Sequence, residues 1–325
     1  MNQARRVANK FSALTPDEKL AIVRHVCANR GKFLIKKFDV CAIGAGYKKT
    51  GGEVLAEVCI GFLVDKKKAG IAKPVPPYIT AYVHNGMNRT RYKIPTDVEE
   101  LGNGVPHAMQ NLANGISSSA TANQALSLRG AACCIVVQKK QPTNRFLLGC
   151  HHVLALSLLN PQLKATDTYI RPRSSPNVVG RLYEYLTMSA FGKPCLDAAI
   201  ALANPASEIF WNANGVMPRY VEPGTNRPLA CAIFTPNGPR AAQFVKEWAN
   251  VPLRYPGCGD VVIEAAYQFL ADTAPGDSGS PVMEQNGTLH GMHFWGDETQ
   301  RMAFAIPAFM LFRPGRFSID FELVQ

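Results

Sequence analysis

The sequence predicts a helix-led α+β domain followed by an all-β domain. Three observations carry that prediction. A capped amphipathic helix opens the chain and leads into strand-like runs. A stretch rich in Asn, Gly, Ala and Ser then breaks the pattern. Beyond it, short apolar runs recur between turns to the end of the chain.

The first element begins at Thr15-Pro16-Asp17-Glu18. Thr15 suits the N-cap, Pro16 the first helical position, and Glu18 can close a capping box. Leu20, Ile22, Val23, Val26 and Cys27 form an amphipathic stripe, so the pattern predicts a helix over 15–30 with Gly31 as its stop. Strand-like runs follow at 38–46, 52–64 and 78–83, and an extended piece runs through Ile94-Pro95-Thr96-Asp97-Val98 to Leu101. These elements make an α+β domain over 1–110. The segment around Gly115-Ile116-Ser117-Ser118-Ser119-Ala120 reads as a flexible linker over 111–124. The remaining domain, 125–325, has apolar runs at 131–137, 145–148, 197–203, 229–234, 261–269, 279–283, 288–295 and 302–306. Such spacing predicts an all-β barrel or sandwich.

Bulk properties narrow the function classes. No apolar run nears the roughly 20 residues of a membrane-spanning helix. The basic start, Met1 to Arg6, is not followed by the apolar stretch of a secretory signal. The 9 cysteines include no Cys-x-x-Cys, which argues against a disulfide framework and against a structural zinc. A reducing, cytoplasmic location is the expectation. Net charge is +11, with clusters such as Lys66-Lys67-Lys68. A solvated basic surface explains that balance, since no aromatic-interleaved basic stretch points to nucleic acid.

The chemistry sits in three segments. In Gly276-Asp277-Ser278-Gly279 a serine stands on a tight glycine turn. In Gly149-Cys150-His151-His152-Val153-Leu154 an apolar strand ends at a histidine pair. In Leu196-Asp197-Ala198-Ala199-Ile200 an aspartate opens an apolar strand, where a buried carboxylate needs a partner and histidine is the natural one. The order is His, Asp, Ser, with separations of 45 (152 to 197) and 81 (197 to 278). A serine hydroxyl needs an adjacent base to act as a nucleophile, and the three residue types supply nucleophile, base and orienting acid. Each has a plainer reading: Ser278 as a turn residue, Asp197 as a strand-start cap, His151 as the base instead of His152. Cys150 beside two histidines also raises a thiol nucleophile or a metal site.

These motifs resemble those of chymotrypsin-like, trypsin-fold serine proteases over about 126–312. The segments His152-Val153-Leu154, Asp197-Ala198-Ala199-Ile200-Ala201 and Ala303-Phe304-Ala305-Ile306-Pro307 are similar to bacterial and HtrA-type members. The N-terminal region resembles that of some cytoplasmic bacterial trypsin-like proteins. The resemblance implies a double β-barrel and an acyl-enzyme endopeptidase that needs no metal or cofactor. It makes Ser278 the nucleophile, His152 the base and Asp197 its orienting acid, with the Gly276 and Ser278 amides as the oxyanion hole. It also places Asp272 at the base of the primary specificity pocket, implying cleavage after Lys or Arg. Phe294, Trp295 and Gly296 would line that pocket and pair with substrate backbone.

In secreted trypsins the Asp before the nucleophile pairs with a new N-terminus. Asp277 and the linker therefore raise a form latent until processed, activated by another protease or a regulatory partner. Cysteines that brace the secreted enzymes have no counterpart here, and 204–258 matches no strand pattern of the family. The expected partner is a protein or peptide substrate. Two other readings stay open: an idle protease fold used as a binding module or scaffold, and a basic nucleic-acid-associated protein marked by steep salt dependence.

Overall fold

The computed structural model describes residues 10–66, 74–85, 88–102, 104–106, 116–119, 128–155, 168–172, 177–188, 193–204, 217–224, 231–255 and 258–324. Contacts divide the chain into two units. One comprises Met1–Gly102 with Val245–Ala249, and the other Asn103–Phe244 with Asn250–Gln325.

In the first unit, helix α1 spans Pro16–Phe38. The expected capping box is present: the Thr15 amide donates to Glu18 Oε2 at 2.8 Å and the Glu18 amide donates to Thr15 Oγ1 at 3.3 Å. The expected stop at Gly31 is a correction. The helix continues because Leu34 and Phe38 extend the buried stripe, and it ends on Asp39 in the left-handed region (φ 53°). Gly31 instead lets the helix approach the sheet, since a Cβ there would stand 3.1 Å from Ile43 Cγ2. The strand expected from Phe38 accordingly begins later.

Strands β1 (Ala42–Thr50) and β2 (Glu53–Val64) pair antiparallel. Strand β4 (Asn88–Glu100) lies parallel to β2 and antiparallel to β3 (Tyr78–Asn85). The Val245–Ala249 piece pairs antiparallel with β1, setting Lys246 opposite Gly46 and Trp248 opposite Gly44. Val23, Leu34, Ile60, Phe62, Ile79 and Ile94 form the shared core between α1 and the sheet.

The described elements of the second unit are mostly strands. They are β5 (Val105–Pro106), β6 (Ile116–Ser119), β7 (Leu128–Gly130), β8 (Cys134–Gln138), β9 (Gln141–Gly149), β10 (Tyr169–Pro172), β11 (Gly180–Tyr185) and β12 (Ala199–Ala203). Then come β13 (Tyr220–Val221), β14 (Cys231–Thr235), β15 (Gly238–Tyr255, whose Val245–Ala249 piece belongs to the first unit), β16 (Gly259–Ala271), β17 (Pro281–Met283), β18 (Thr288–Asp297), β19 (Met302–Pro307) and β20 (Phe321–Leu323). Short helices α2 (His151–Leu154) and α3 (Ala308–Leu311) interrupt them. One sheet runs β20-β8-β9-β12-β11-β10-β6-β7, and the other holds β14-β17-β18-β19-β16 with β13 and β5 against β18.

Ile116–Ser119, inside the stretch expected as a linker, is strand β6, paired with β10 and β7. Ile116 is buried, and the buried Ser118 hydroxyl donates to the Val153 carbonyl at 2.9 Å, so Ser118 meets its polar need inside the protein. The rest of that stretch, 111–115 and 120–124, lies outside the described residues.

Candidate active site

The register of β9 on β12 makes the first contact. Gly149 pairs with Ala199, so the chain just beyond Gly149 faces the chain just before Ala199. There the single turn of α2 presents His152 to Asp197. The His152 amide donates to Asp197 Oδ1 at 3.1 Å, and the ring Nδ1 makes a short bond to Oδ2. Asp197 is fully buried. Burial alone would push its carboxyl up, but the His152 ring and amide and the His151 ring outweigh burial and hold it below the usual range. Against a carboxylate, Nδ1 carries the proton, and the other ring nitrogen is left as the acceptor. That atom, Nε2, is buried and has no partner among the described residues.

A third group completes the pair. The Tyr255 hydroxyl donates to Asp197 Oδ2 at 2.9 Å, and its ring stands edge-on to His152, with centroids 5.8 Å apart. Burial, followed by the Asp197 charge, pushes the phenol well above its ordinary value, so it stays a donor. Sequence reasoning missed Tyr255 because it lies in the region without a readable family pattern. Removing this bond to a buried carboxylate costs about 1.5–3 kcal/mol. Tyr255→Phe is therefore expected to lower the free energy of unfolding by about that amount, read by urea denaturation. An unaltered unfolding free energy would mean that the Tyr255 bond adds nothing to holding Asp197.

His151 has another role. Its Nδ1 bonds the Leu186 carbonyl at 2.9 Å and its ring stacks on Tyr185 at 4.5 Å. Burial is the main cause of its pKa falling to about 4. It is a neutral packing residue, and its neighbour faces the carboxylate. Cys150 is buried, with Sγ donating to the His293 carbonyl at 3.3 Å. Burial and the Asp197 charge push its thiol far up, away from the thiolate that a nucleophile or a metal ligand requires. Cys150, His152 and Asp197 do sit within 4.8 Å of one another. Both potential ligand atoms of the latter pair that face each other are already committed to their shared bond.

The serine turn lies between β16 and β17. Gly276 and Gly279 take φ of 100° and 94°, which only glycine adopts without strain. The Asp277 amide donates to the Ala274 carbonyl at 3.0 Å, and the Ala274 amide donates back to Asp277 Oδ2 at 2.9 Å. Asp277 is buried, and burial raises its carboxyl against the opposing effects of the Ala274 amide, Arg240 and Thr235. The Ala131 amide donates to the Ser278 carbonyl, and the Gly279 amide to the His293 carbonyl, both at 2.7 Å. A Cβ on Gly130 would touch both the Ser278 carbonyl (2.6 Å) and Val153 (2.7 Å). Ser278 thus stands beside the turn that carries His152.

Its hydroxyl, however, donates to the Phe294 carbonyl at 2.9 Å, not to His152. That carbonyl is available because β18 bulges against β19 between His293 and Trp295, making Phe294 the extra residue. No bond from the Gly276 or Ser278 amide to a described residue is present.

The structure treats the four expected substrate-binding residues differently. Phe294, Trp295 and Gly296 lie on β18, where the Phe294 carbonyl accepts the Ser278 hydroxyl, and Phe294 and Trp295 are buried. Asp272 stands apart from them. It is exposed, and Arg301 holds its carboxylate through two bonds of 2.6 and 3.1 Å. Its charge is thus shared with Arg301 at the surface.

The Trypsin family model matches residues 246–312. No curated protein sequence matches the chain. Among solved structures, the chain is similar to Thermobifida fusca Protease A at 15% identity and a TM-score of 0.41, covering 65% of this chain and 97% of that one. It is similar to Nocardiopsis protease at 12% identity and a TM-score of 0.39, covering 65% and 100%. It is also similar to the HtrA-type protease AlgW at 15% identity and a TM-score of 0.33, covering 63% and 62%. The matched family segment carries Tyr255, the Ser278 turn and the Phe294–Gly296 edge, and the C-terminal part of this chain is accordingly of the chymotrypsin/trypsin fold.

Proposed function

We propose that the chain is a serine endopeptidase working through Ser278, His152 and Asp197 by an acyl-enzyme. The observation that carries this reading is the buried Asp197, which accepts from His152 Nδ1 and Tyr255 and leaves His152 Nε2 as a free acceptor beside the Ser278 turn. When the Ser278 hydroxyl leaves the Phe294 carbonyl, Nε2 takes its proton as Oγ attacks the substrate carbonyl. His152 then delivers that proton to the departing amine, and water repeats the sequence to release the acyl group. The developing oxyanion is received by the Gly276 and Ser278 amides, each worth about 3–4 kcal/mol where such donors are preorganised. None of these steps calls on a metal or cofactor. The 9 cysteines, all free thiols, suit a reducing compartment, and a cytoplasmic location is part of the proposal.

A second reading, an idle protease fold serving as a binding module, is favoured by the Ser278 hydroxyl resting on Phe294 rather than on the base. A fluorophosphonate probe separates the two. The expected result is covalent labelling mapped by mass spectrometry to the Ser278 peptide. If the folded protein and the Gly104→Val variant described below both fail to label, the binding-module reading takes its place.

A further inference from the structure

Strand β18 is covered unevenly. On one edge β19 follows it from Gly291 to Asp297. On the other edge β17 pairs only as far as Met292. Beyond that point the second edge is taken by β5, with Pro106 opposite Trp295 and Val105 opposite Gly296 in antiparallel register. This is the same Trp295–Gly296 edge that a peptide substrate would pair with on the protease reading.

The local chemistry of β5 fits this edge closely. Antiparallel pairs alternate between those that exchange both backbone bonds and those that exchange none. Pro106 has no N–H, so it suits the non-exchanging place opposite Trp295. The exchange then falls to Val105 and Gly296. One residue earlier, a Cβ on Gly104 would overlap the Trp295 six-membered ring and stand 2.5 Å from the Gly296 carbonyl, so only glycine fits. Trp295 itself is 1% exposed, held between this segment and Phe304, whose ring centroid is 5.2 Å away.

We propose that Gly104-Val105-Pro106 is a built-in peptide ligand of the Trp295–Gly296 edge. The edge selects extended peptides of Gly-x-Pro pattern, and a peptide substrate must displace this segment before it can align with Ser278. The proposal rests on the protease reading for the role of the edge as a substrate site. It adds the identity of the occupant and the sequence pattern that the edge accepts. Main-chain pairing supplies the affinity in such strand addition, and the close fit at Gly104 and Pro106 supplies the selectivity.

Two variants test it by different means. Gly104→Val places a branched side chain where the Trp295 ring stands, and Val105→Pro removes the N–H that the Gly296 pairing uses. Hydrogen exchange of the Trp295–Asp297 amides, followed by mass spectrometry, reads occupancy without needing turnover. Exchange is expected to quicken at least tenfold in both variants, and millimolar acetyl-Gly-Val-Pro-amide should restore the protection. Equal exchange in wild type and both variants, or no protection by the peptide, would overturn the proposal. Fluorophosphonate labelling of the same samples reports separately on the protease reading. If labelling occurs while exchange is unchanged, only the built-in ligand is wrong. If exchange behaves as expected but nothing labels, the edge is a peptide-binding site and the substrate role is overturned.

Discussion

Ser278→Ala is expected to lower kcat/KM on a protein substrate by about 10⁶-fold, and Asp197→Asn by about 10⁴-fold. The two changes combined should cost no more than the serine change alone. The reason is cooperative chemistry. In the proposed triad, removing Oγ leaves His152 no proton to move, so the orientation imposed by Asp197 would have nothing left to act on. Asn at 197 would present an amide where Nδ1–H now donates, favouring the ring tautomer with its proton on Nε2, which cannot accept from serine. It would also offer a weaker acceptor to the Tyr255 hydroxyl. Initial rates on fluorescent casein, with the fold checked by circular dichroism, measure all three variants. If Ser278→Ala keeps more than about 1% of activity, the nucleophile lies elsewhere, since turnover without Oγ falls to the residual level left by binding and the oxyanion site.

The second large effect belongs to stability and to the first unit. Lys246 is fully buried, with Nζ 2.8 Å from Asp97 Oδ2 and in a short contact with Glu99 Oε1. Burial would push its ammonium down, but Glu99, Cys59 and Asp97 outweigh burial and hold it up. Gly46 and Gly61 leave room for its stem: a Cβ at either would come within 2.7 Å of the lysine's methylenes. Lys246→Met removes the cation bonded to both Asp97 and Glu99 and so breaks two buried ion pairs. Breaking a buried pair this way costs about 3–5 kcal/mol.

The midpoint of urea unfolding should fall accordingly, with no change in the local chemistry of Ser278. Adding Asp97→Asn and Glu99→Gln is expected to recover most of the loss, because the cost comes from stranded charge rather than from lost volume. A Lys246→Met unfolding free energy within about 1 kcal/mol of wild type would mean that the carboxylates find other partners or take up protons.

The N-terminal helix shows how far sequence carried. Its start was legible because a capping box is a local device: Thr15 and Glu18 need only each other. Its end was not, because Gly31 reads as a stop until β1 is seen to run across it, and the burial of Leu34 and Phe38 decides where the helix stops. The all-β character of the later chain followed from alternating apolar runs and turns. The serine turn was equally legible, since Gly276 and Gly279 announce backbone angles that other residues avoid.

What the sequence determined by itself was therefore whatever a few adjacent residues settle: a cap, a turn, an apolar run, and the residue types that acid–base chemistry requires. What only the tertiary structure decided was partnership over long separations. The register of β9 on β12 set His152 against Asp197, while His151 stacks on Tyr185. A distant strand supplied Tyr255, and Arg301 claimed Asp272 at the surface. Lys246 found Asp97 and Glu99 about 150 residues back along the chain. Hydrogen bonds and charges act over a few ångströms of space, not along the sequence, so these choices exist only once the strands have aligned.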